Sequence, residues 1–402
     1  MGAIGLAACD AAPPPNAADS RPVESETISE GETLVDVVRR TLAEVIRDPD
    51  PYSRARRLGA LLPTLVPETV PAVKRILDDR MLDLRASEIE LLLRFWATHE
   101  PAEASHWAKV RSRLGYREVA VYAALSTWAV SDPRVAAGAT WPWAVESTSL
   151  ERIVPIALVR GWYEAGGGDS GELTQYIGNL PIGILRQRAI AAYVRVVIEY
   201  DGAETVMRWA ESLPDDDETF KLSVFRRVVD ALSLLDLDAG LRWCDAHCNG
   251  PYGNNMRSLI ARNWVLQDGP AALAWLSGGP EGHDKDLAVR LTFGLWADRD
   301  RAAAFRWMEE QTAGEPAPWL QPTYPVYARL LSGEDPAAAI GWAGRIENDA
   351  TRENMLVRVA RVWRHLDEAA AEEWLLQSPL SEEAREKVRS PAPGRAQPNP
   401  ER

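Results

Sequence analysis

The sequence contains few of the residue types that most metal, disulfide and nucleic-acid sites require. Only three of its 402 residues are cysteine and five are histidine, which excludes a disulfide scaffold. No apolar run reaches the length of a membrane-spanning helix. Basic residues are in the minority, with 45 lysines and arginines against 59 aspartates and glutamates, for a net charge of −14. Because nucleic-acid binding needs a basic surface, we expect no such partner.

Tryptophan, in contrast, is abundant, and its sixteen residues are regularly spaced. A large aromatic side chain returns every 32 to 36 residues, and a second large apolar side chain lies eleven positions before most of these. The later members are Trp107, Trp141 or Trp143, Tyr176, Trp209, Trp243, Trp275, Trp307, Trp342 and Trp374. The earlier members are Trp96, Trp128, Trp162, Ile198, Leu232, Trp264, Trp296, Leu331 and Trp363. Such a period is typical of helical repeat proteins.

The interval between the two members predicts the end of one helix and the start of another. In seven copies an acidic residue, here called the hairpin acid, follows the earlier member by four positions: Glu100, Asp132, Asp236, Asp268, Asp300, Asp335 and Asp367. An acid there can accept hydrogen bonds from the free N–H groups of a helix start. Proline follows the acid in several copies and suits the first helical position. Alanine, four positions after most of these acids, allows close helix approach: Ala104, Ala136, Ala272, Ala304, Ala339 and Ala371.

The residues before the earlier member also follow a helical period. Ile89, Leu92, Leu93 and Trp96 have the spacing of one apolar helix face, and no β-strand alternation occurs. Each unit is therefore predicted to be an antiparallel helix pair, and stacked pairs can share a continuous core. We predict an all-α fold, an α-solenoid of about ten helix-pair repeats of about 33 residues.

This pattern resembles the tetratricopeptide and HEAT-like superfamily, and it looks more like the tryptophan-rich helical repeats of bacterial envelope proteins. The resemblance implies an architecture and no activity. The predicted organisation is a lipobox-like start and disordered tether (1–28), an N-terminal helical cap with a degenerate repeat (29–84), the solenoid (85–378) and a disordered tail (379–402).

The N-terminus carries a short apolar stretch that ends in Leu6, Ala7, Ala8 and Cys9. It resembles the lipobox of bacterial lipoproteins, and that resemblance implies cleavage before Cys9 and lipidation of its thiol. The basic segment and longer apolar segment of that family are missing, so either the start codon lies inside a longer signal peptide or the match is chance. The Pro-, Ala- and acid-rich stretch that follows is typical of a flexible tether. We predict a lipid-anchored protein of the bacterial periplasm or cell envelope, the alternative being a cytoplasmic protein.

Three short motifs suggest chemistry, and each has a simpler explanation. Residues 168–171 match the tetrad around the nucleophile of chymotrypsin-like proteases, but the surrounding sequence favours a glycine-rich turn. Cys244, His247 and Cys248 lie within one helical turn, and they favour buried small residues over a metal site or an awkward disulfide. The acidic stretch 214–218 lacks calcium-ligand spacing and favours a loop that caps a helix.

The tryptophans in register are expected in the core, because each buries a large apolar area. Trp319, Tyr324 and Tyr327 fall outside the register and are candidate partner contacts, expected to be exposed. No catalytic, cofactor or metal residue is predicted. The predicted function is a non-enzymatic scaffold that binds a protein or peptide along a solenoid groove. The alternative is a glycan- or peptidoglycan-binding protein or an α/α-toroid enzyme.

Overall fold

The protein folds as helices. The structure, a computed structural model, describes residues 32–113, 115–166, 171–253 and 255–390. These residues form 22 α-helices and no β-strand, which confirms the predicted all-α class. They divide into two compact units, the first ending at Gly166 and the second beginning at Gly171.

The first unit contains eight of these helices. They are α1 (Leu34–Arg47), α2 (Pro51–Leu61), α3 (Val70–Arg80), α4 (Ala86–His99), α5 (Pro101–Val110), α6 (Arg117–Ser131), α7 (Pro133–Ala144) and α8 (Thr148–Glu164). Helix α2 is tied to the start of α4 by a buried ion pair, in which Arg54 Nε donates to Glu88 Oε1 at 2.8 Å. Glu88 also accepts from the Arg85 N–H at 2.9 Å, so one carboxylate closes the helix start and holds the N-terminal helices against it.

The second unit contains the other fourteen helices. They are α9 (Gly171–Asn179), α10 (Ile184–Asp201), α11 (Ala203–Ser212), α12 (Glu218–Leu235), α13 (Leu237–His247), α14 (Met256–Trp264), α15 (Gly269–Ser277), α16 (His283–Arg299), α17 (Arg301–Gln311), α18 (Tyr324–Leu331), α19 (Pro336–Gly344), α20 (Asp349–Leu366), α21 (Glu368–Gln377) and α22 (Glu382–Arg389). A short 3-10 helix, Pro318–Thr323, precedes α18.

Helices pack in the same order within each unit. The two helices of a pair pack together, as in α4 with α5 and α12 with α13, and the second helix also packs against the next first helix. Each first helix packs against the first helix of the next pair: α4 on α6 and α6 on α8 in one unit, and α10 on α12, α12 on α14, α14 on α16, α16 on α18 and α18 on α20 in the other. Sequential pairs therefore share one layer of first helices in each unit.

The predicted helix caps are confirmed at six of the seven hairpin acids. In each of the six aspartates the carboxylate accepts the backbone N–H three residues later at 2.9 to 3.1 Å. Glu100 is the exception, because its longer side chain accepts from Trp96 Nε1 at 2.9 Å and pairs with Lys74 at 2.6 Å. The expectation that Glu100 caps α5 with its side chain is therefore wrong.

A cation closes the end of the preceding pair in three copies, always fifteen residues before the hairpin acid. Lys221 Nζ donates to the Leu213 carbonyl and Lys285 Nζ to the Ser277 carbonyl, each at 2.7 Å. Arg352 Nη1 donates to the Ile346 carbonyl at 2.8 Å. Since the last carbonyls of a helix have no partner within it, these buried or half-buried cations satisfy them.

The tryptophans pack inside the units to different depths. Rings eleven residues apart contact across the hairpin, with centroids 5.7 Å apart for Trp96 and Trp107 and 5.6 Å apart for Trp296 and Trp307. Six of the sixteen side chains are buried and the other ten are half-buried. The predicted core position is thus confirmed for six, while ten keep part of the ring accessible. The alanines four residues after the hairpin acids are all fully buried, as predicted.

The predicted tail, residues 379–402, begins with a short helix. The sequence there predicts a frayed helix followed by disorder, and α22 extends from Glu382 to Arg389, with Leu380, Ala384 and Val388 buried. These side chains belong to an apolar cluster with α20 and α21. Helix α22 therefore covers apolar side chains of the α20–α21 pair.

Candidate functional site

The three aromatic residues predicted to contact a partner do not form an exposed patch. Tyr324 and Tyr327 are each 2% exposed, so the expectation of exposure is wrong for both. Trp319 is half-buried, with its ring 6.2 Å from that of Trp307. The 3-10 helix and the start of α18 turn these rings into the core, where burial raises the pKa of Tyr327 to about 12, helped by the charge of Glu309.

Two sequence motifs fall where the structure gives no description. Cys9 and the first three residues of the protease-like tetrad, 168–170, lie outside the described residues, while its fourth residue, Gly171, begins α9. Lipidation at Cys9 and the glycine-rich turn both stay predictions.

The Cys-His-Cys motif forms a disulfide at the end of α13. The sulfurs of Cys244 and Cys248 are bonded, so the bond that the spacing made awkward is the arrangement found. His247 Nε2 lies 2.9 Å from Glu211 Oε1 on α11. Among the described residues, no group of three or more histidine, cysteine or acidic side chains could hold a metal ion.

The acidic loop at residues 214–218 caps and ties helices, as predicted. Asp217 accepts the Phe220 N–H at 2.9 Å and pairs with Arg186, and these contacts lower its pKa. Asp215 accepts from Lys221 Nζ at 2.8 Å and from the Tyr252 hydroxyl at 2.7 Å. That hydrogen bond raises the pKa of Tyr252 to about 12. The charges of Asp215 and Asp217 are therefore used within the fold.

The strongest candidate surface is built by the first helices of the second unit. We number positions by counting back along the chain from each hairpin acid. The residues ten, nine, six and two positions before the acid lie on one side of the first helix. The residues eleven, eight, seven and four positions before it lie on the opposite, buried side. We call the exposed and half-buried residues at these positions the first-helix face: Arg226, Arg227, Asp230, Leu234, Ser258, Leu259, Arg262, Leu266, Arg290, Leu291, Gly294, Asp298, Pro325, Val326, Arg329, Gly333, Val357, Arg358, Arg361 and His365. Because α12, α14, α16, α18 and α20 pack in sequence, the face continues from one helix to the next.

The first-helix face combines positive charge with exposed aliphatic side chains. It holds seven arginines and two aspartates, although the whole chain has a net charge of −14. Leu234, Leu266 and Leu291 are 53%, 45% and 50% exposed. Leu234 and Leu266 each lie two residues before a hairpin acid and Leu291 lies nine residues before one, so exposed leucines recur along the face.

The charges of the first-helix face are only partly neutralised. Asp230 accepts from Arg262 at 2.9 Å and lies 3.7 Å from Arg227. Among the described residues, four exposed arginines of the face form no ion pair: Arg226, Arg290, Arg329 and Arg358. The surface can therefore attract carboxylates without breaking its own contacts.

Sequence reasoning missed this face, although its signal is present in the repeat register. Arginine or an aliphatic residue occupies most of the positions nine residues before the hairpin acid, as at Leu91, Leu259, Leu291 and Val326.

Two cavities lie in the second unit, and the lining of the smaller one favours no particular class of ligand. It encloses about 310 Å³ beside Cys248 and brings Arg257 and His283 together with Glu281 and Asp284. The opposed charges give it no preference for a ligand of either sign.

Comparison of the chain with protein-family models, with curated proteins and with solved structures gives no match. Within the described residues, no helix combines the length and the apolar character needed to cross a bilayer.

Proposed function

We propose that the protein is a non-enzymatic adaptor whose stacked helix pairs hold a peptide segment of a partner protein. The first-helix-on-first-helix packing within each unit supports an α-solenoid of about ten repeats, similar to tetratricopeptide and HEAT-like arrays. In such arrays one layer of helices offers an extended surface for a partner. The first-helix face lies on that layer.

The partner segment is proposed to be acidic, with aliphatic residues between its carboxylates. The observation that carries this proposal is the arginine-rich composition of the first-helix face in an otherwise acidic protein. Arginine guanidinium groups bind carboxylates with paired hydrogen bonds. The exposed leucines beside them would bury the aliphatic residues of the segment.

A pair of peptides of opposite charge tests this proposal. A labelled peptide that repeats Glu-Leu-Glu-Glu is titrated with the full chain by fluorescence anisotropy, beside the same peptide with lysine for glutamate. We expect only the acidic peptide to bind, with an affinity that falls as salt is added. Equal binding of the two peptides would contradict the proposal.

Charge-reversal variants locate the binding surface. We expect Arg290→Glu combined with Arg329→Glu to weaken the acidic peptide about tenfold or more, because both residues lie on the first-helix face. The matched control reverses Arg242 and Arg306, exposed residues of the second helices α13 and α17. If the control loses as much affinity as the first variant, the binding surface lies elsewhere.

The proposed location is the bacterial cell envelope, with Cys9 as a lipid-anchored residue. Its support is the stretch Leu6-Ala7-Ala8-Cys9 followed by a Pro- and acid-rich segment. The gene, with its upstream region, is expressed in bacteria fed a clickable palmitate analogue. We expect the wild-type protein to be labelled and the Cys9→Ala variant not to be labelled. A wild-type protein without label would show that it is not a lipoprotein.

A further inference from the structure

The larger cavity of the second unit is lined by two aromatic residues and by three serine or threonine hydroxyl groups. It encloses about 470 Å³ between α9, α10 and α11, a volume within the range of small-molecule sites. The rings of Tyr193 and Trp209 lie 4.4 Å apart and are tilted by 48°. Trp209 Nε1 donates to Thr174 Oγ1 at 2.9 Å, which fixes the orientation of the indole. The cavity therefore has an oriented aromatic wall.

The charged side chain of this cavity is an arginine. Among the lining residues that the structure describes none is acidic, and Arg208 is the one charged residue. Its guanidinium makes only long contacts, at 3.4 Å, to the Glu204 carbonyl and to Thr205 Oγ1 of its own helix. An arginine without a carboxylate partner, in a chain of net charge −14, favours an anionic group in the cavity.

The hydroxyl groups keep hydrogen-bonding capacity for a ligand. The Thr205 hydroxyl donates to the Asp201 carbonyl at 3.0 Å, and the Ser212 hydroxyl donates to the Trp209 carbonyl at 2.8 Å. The Thr174 hydroxyl accepts the indole N–H. Since a hydroxyl oxygen has two lone pairs and one proton, each of the three can still bond to a polyhydroxylated ligand.

We propose that this cavity binds a saccharide that carries a carboxylate. The apolar C–H face of a sugar ring would pack on the half-buried indole of Trp209, which the buried ring of Tyr193 supports from behind. Thr174, Thr205 and Ser212 would bond the sugar hydroxyls, and Arg208 would bind the carboxylate with two hydrogen bonds. This site lies apart from the first-helix face and takes a different class of ligand.

Calorimetric titration with two sugars that differ in one group tests the site. D-glucuronic acid carries the carboxylate and D-glucose replaces it with a hydroxymethyl group. With the full chain we expect glucuronic acid to bind about tenfold or more tightly than glucose. The absence of a saturable heat with glucuronic acid at concentrations up to about 10 mM would overturn the proposal, because it would leave less than about 3 kcal/mol of binding free energy for all the proposed contacts.

Two variants assign the roles within the cavity. Arg208→Gln is expected to reduce the affinity for glucuronic acid to that for glucose, whereas Arg306→Gln, an exposed residue of α17, leaves it unchanged. Trp209→Phe keeps a ring and should weaken both sugars, with its fold checked by circular dichroism. Unchanged selectivity in the Arg208 variant would overturn the proposed carboxylate contact.

Discussion

Six hairpins contain an aspartate, the hairpin acid, at the same position between their two helices. Its backbone N–H donates to the carbonyl four residues earlier at 2.7 to 3.0 Å, and its own carbonyl accepts from the residue four positions later. Its carboxylate meanwhile caps the second helix, with φ between −150° and −139° in all six copies. One residue therefore ends a helix, turns the chain and starts the next helix, which explains why rings eleven residues apart contact each other.

Removing one of these caps should lower stability by an amount typical of helix caps. We expect Asp300→Ala to reduce the free energy of unfolding by about 1 kcal/mol, since the Ala303 N–H loses its acceptor. Urea unfolding followed by circular dichroism measures the difference. Asp298→Ala, two residues earlier and exposed, should change it by less than about 0.5 kcal/mol. Equal effects of the two substitutions would show that the cap does not matter.

The capping aspartate of the acidic loop should make stability depend on pH. The hydrogen bonds from Arg186 and the Phe220 N–H lower the pKa of Asp217 below its ordinary value of 3.8. Its stabilising effect is therefore complete above pH 3.8 and is lost as the pH falls through the lower pKa of the folded state. Asp217→Asn keeps a capping side chain without the charge.

Unfolding midpoints measured in steps from pH 5 down to about pH 2 test this dependence. We expect the stability gap between wild type and Asp217→Asn to close as the pH falls. The neighbouring exposed residue supplies the control, Asp216→Asn. A gap that stays constant over this range would mean that the Asp217 carboxylate is not held in its charged form.

At the scale of helices, the first unit contains one very close crossing. A Cβ atom at Gly161 of α8 would lie 2.1 Å from the Ser126 carbonyl oxygen of α6 and 2.7 Å from Ala129 Cβ. The two helices therefore contact through their backbones, and Ser126 and Ala129 are both fully buried. Only glycine fits this position without separating the helices.

Alanine substitutions at two glycines of the first unit should have opposite effects. We expect Gly161→Ala to destabilise the protein by about 2 to 3 kcal/mol, because the added methyl group clashes with backbone. Gly138→Ala in the middle of α7 meets no atom within 4 Å and should stabilise by about 0.5 to 1 kcal/mol. Thermal unfolding ranks the three proteins, and a neutral Gly161→Ala would mean that α6 and α8 lie further apart.

The sequence predicted the elements that depend on local signals. Caps, turns and buried alanines follow from residues a few positions apart, so six of seven aspartate or glutamate caps could be assigned beforehand. Features that depend on opposing helices could not. The burial of Tyr324 and Tyr327 and the cavity beside Trp209 depend on which side chains meet across helices distant in sequence.

The cation that closes the preceding pair does have a local signal in the sequence. A lysine or arginine lies fifteen residues before the hairpin acid at Lys221, Lys285 and Arg352.

At the scale of the second unit, the apolar core is continuous from α14 to α22. One cluster of buried side chains runs from α14 to Ile346, which follows α19, and a second runs from α18 to α22. Trp342 and Met355 pack against both clusters. Because neighbouring pairs share these clusters, we expect a defect in one pair to weaken the pairs beside it.

Deleting a ring at the centre of the first cluster tests this coupling. Phe293 is fully buried and contacts the rings of Trp307 and Tyr327. We expect Phe293→Ala to cost about 3 to 5 kcal/mol and to speed amide hydrogen exchange in α14 to α18, with a smaller effect in α20 and α22. Helices α4 to α7 belong to the other compact unit and should keep their protection.

Leu291→Ala on the exposed side of α16 is the control and should alter no helix by more than about 0.5 kcal/mol. If Phe293→Ala raised exchange equally in α4 to α7, the two units would unfold as one, and coupling through neighbouring pairs would not describe this protein.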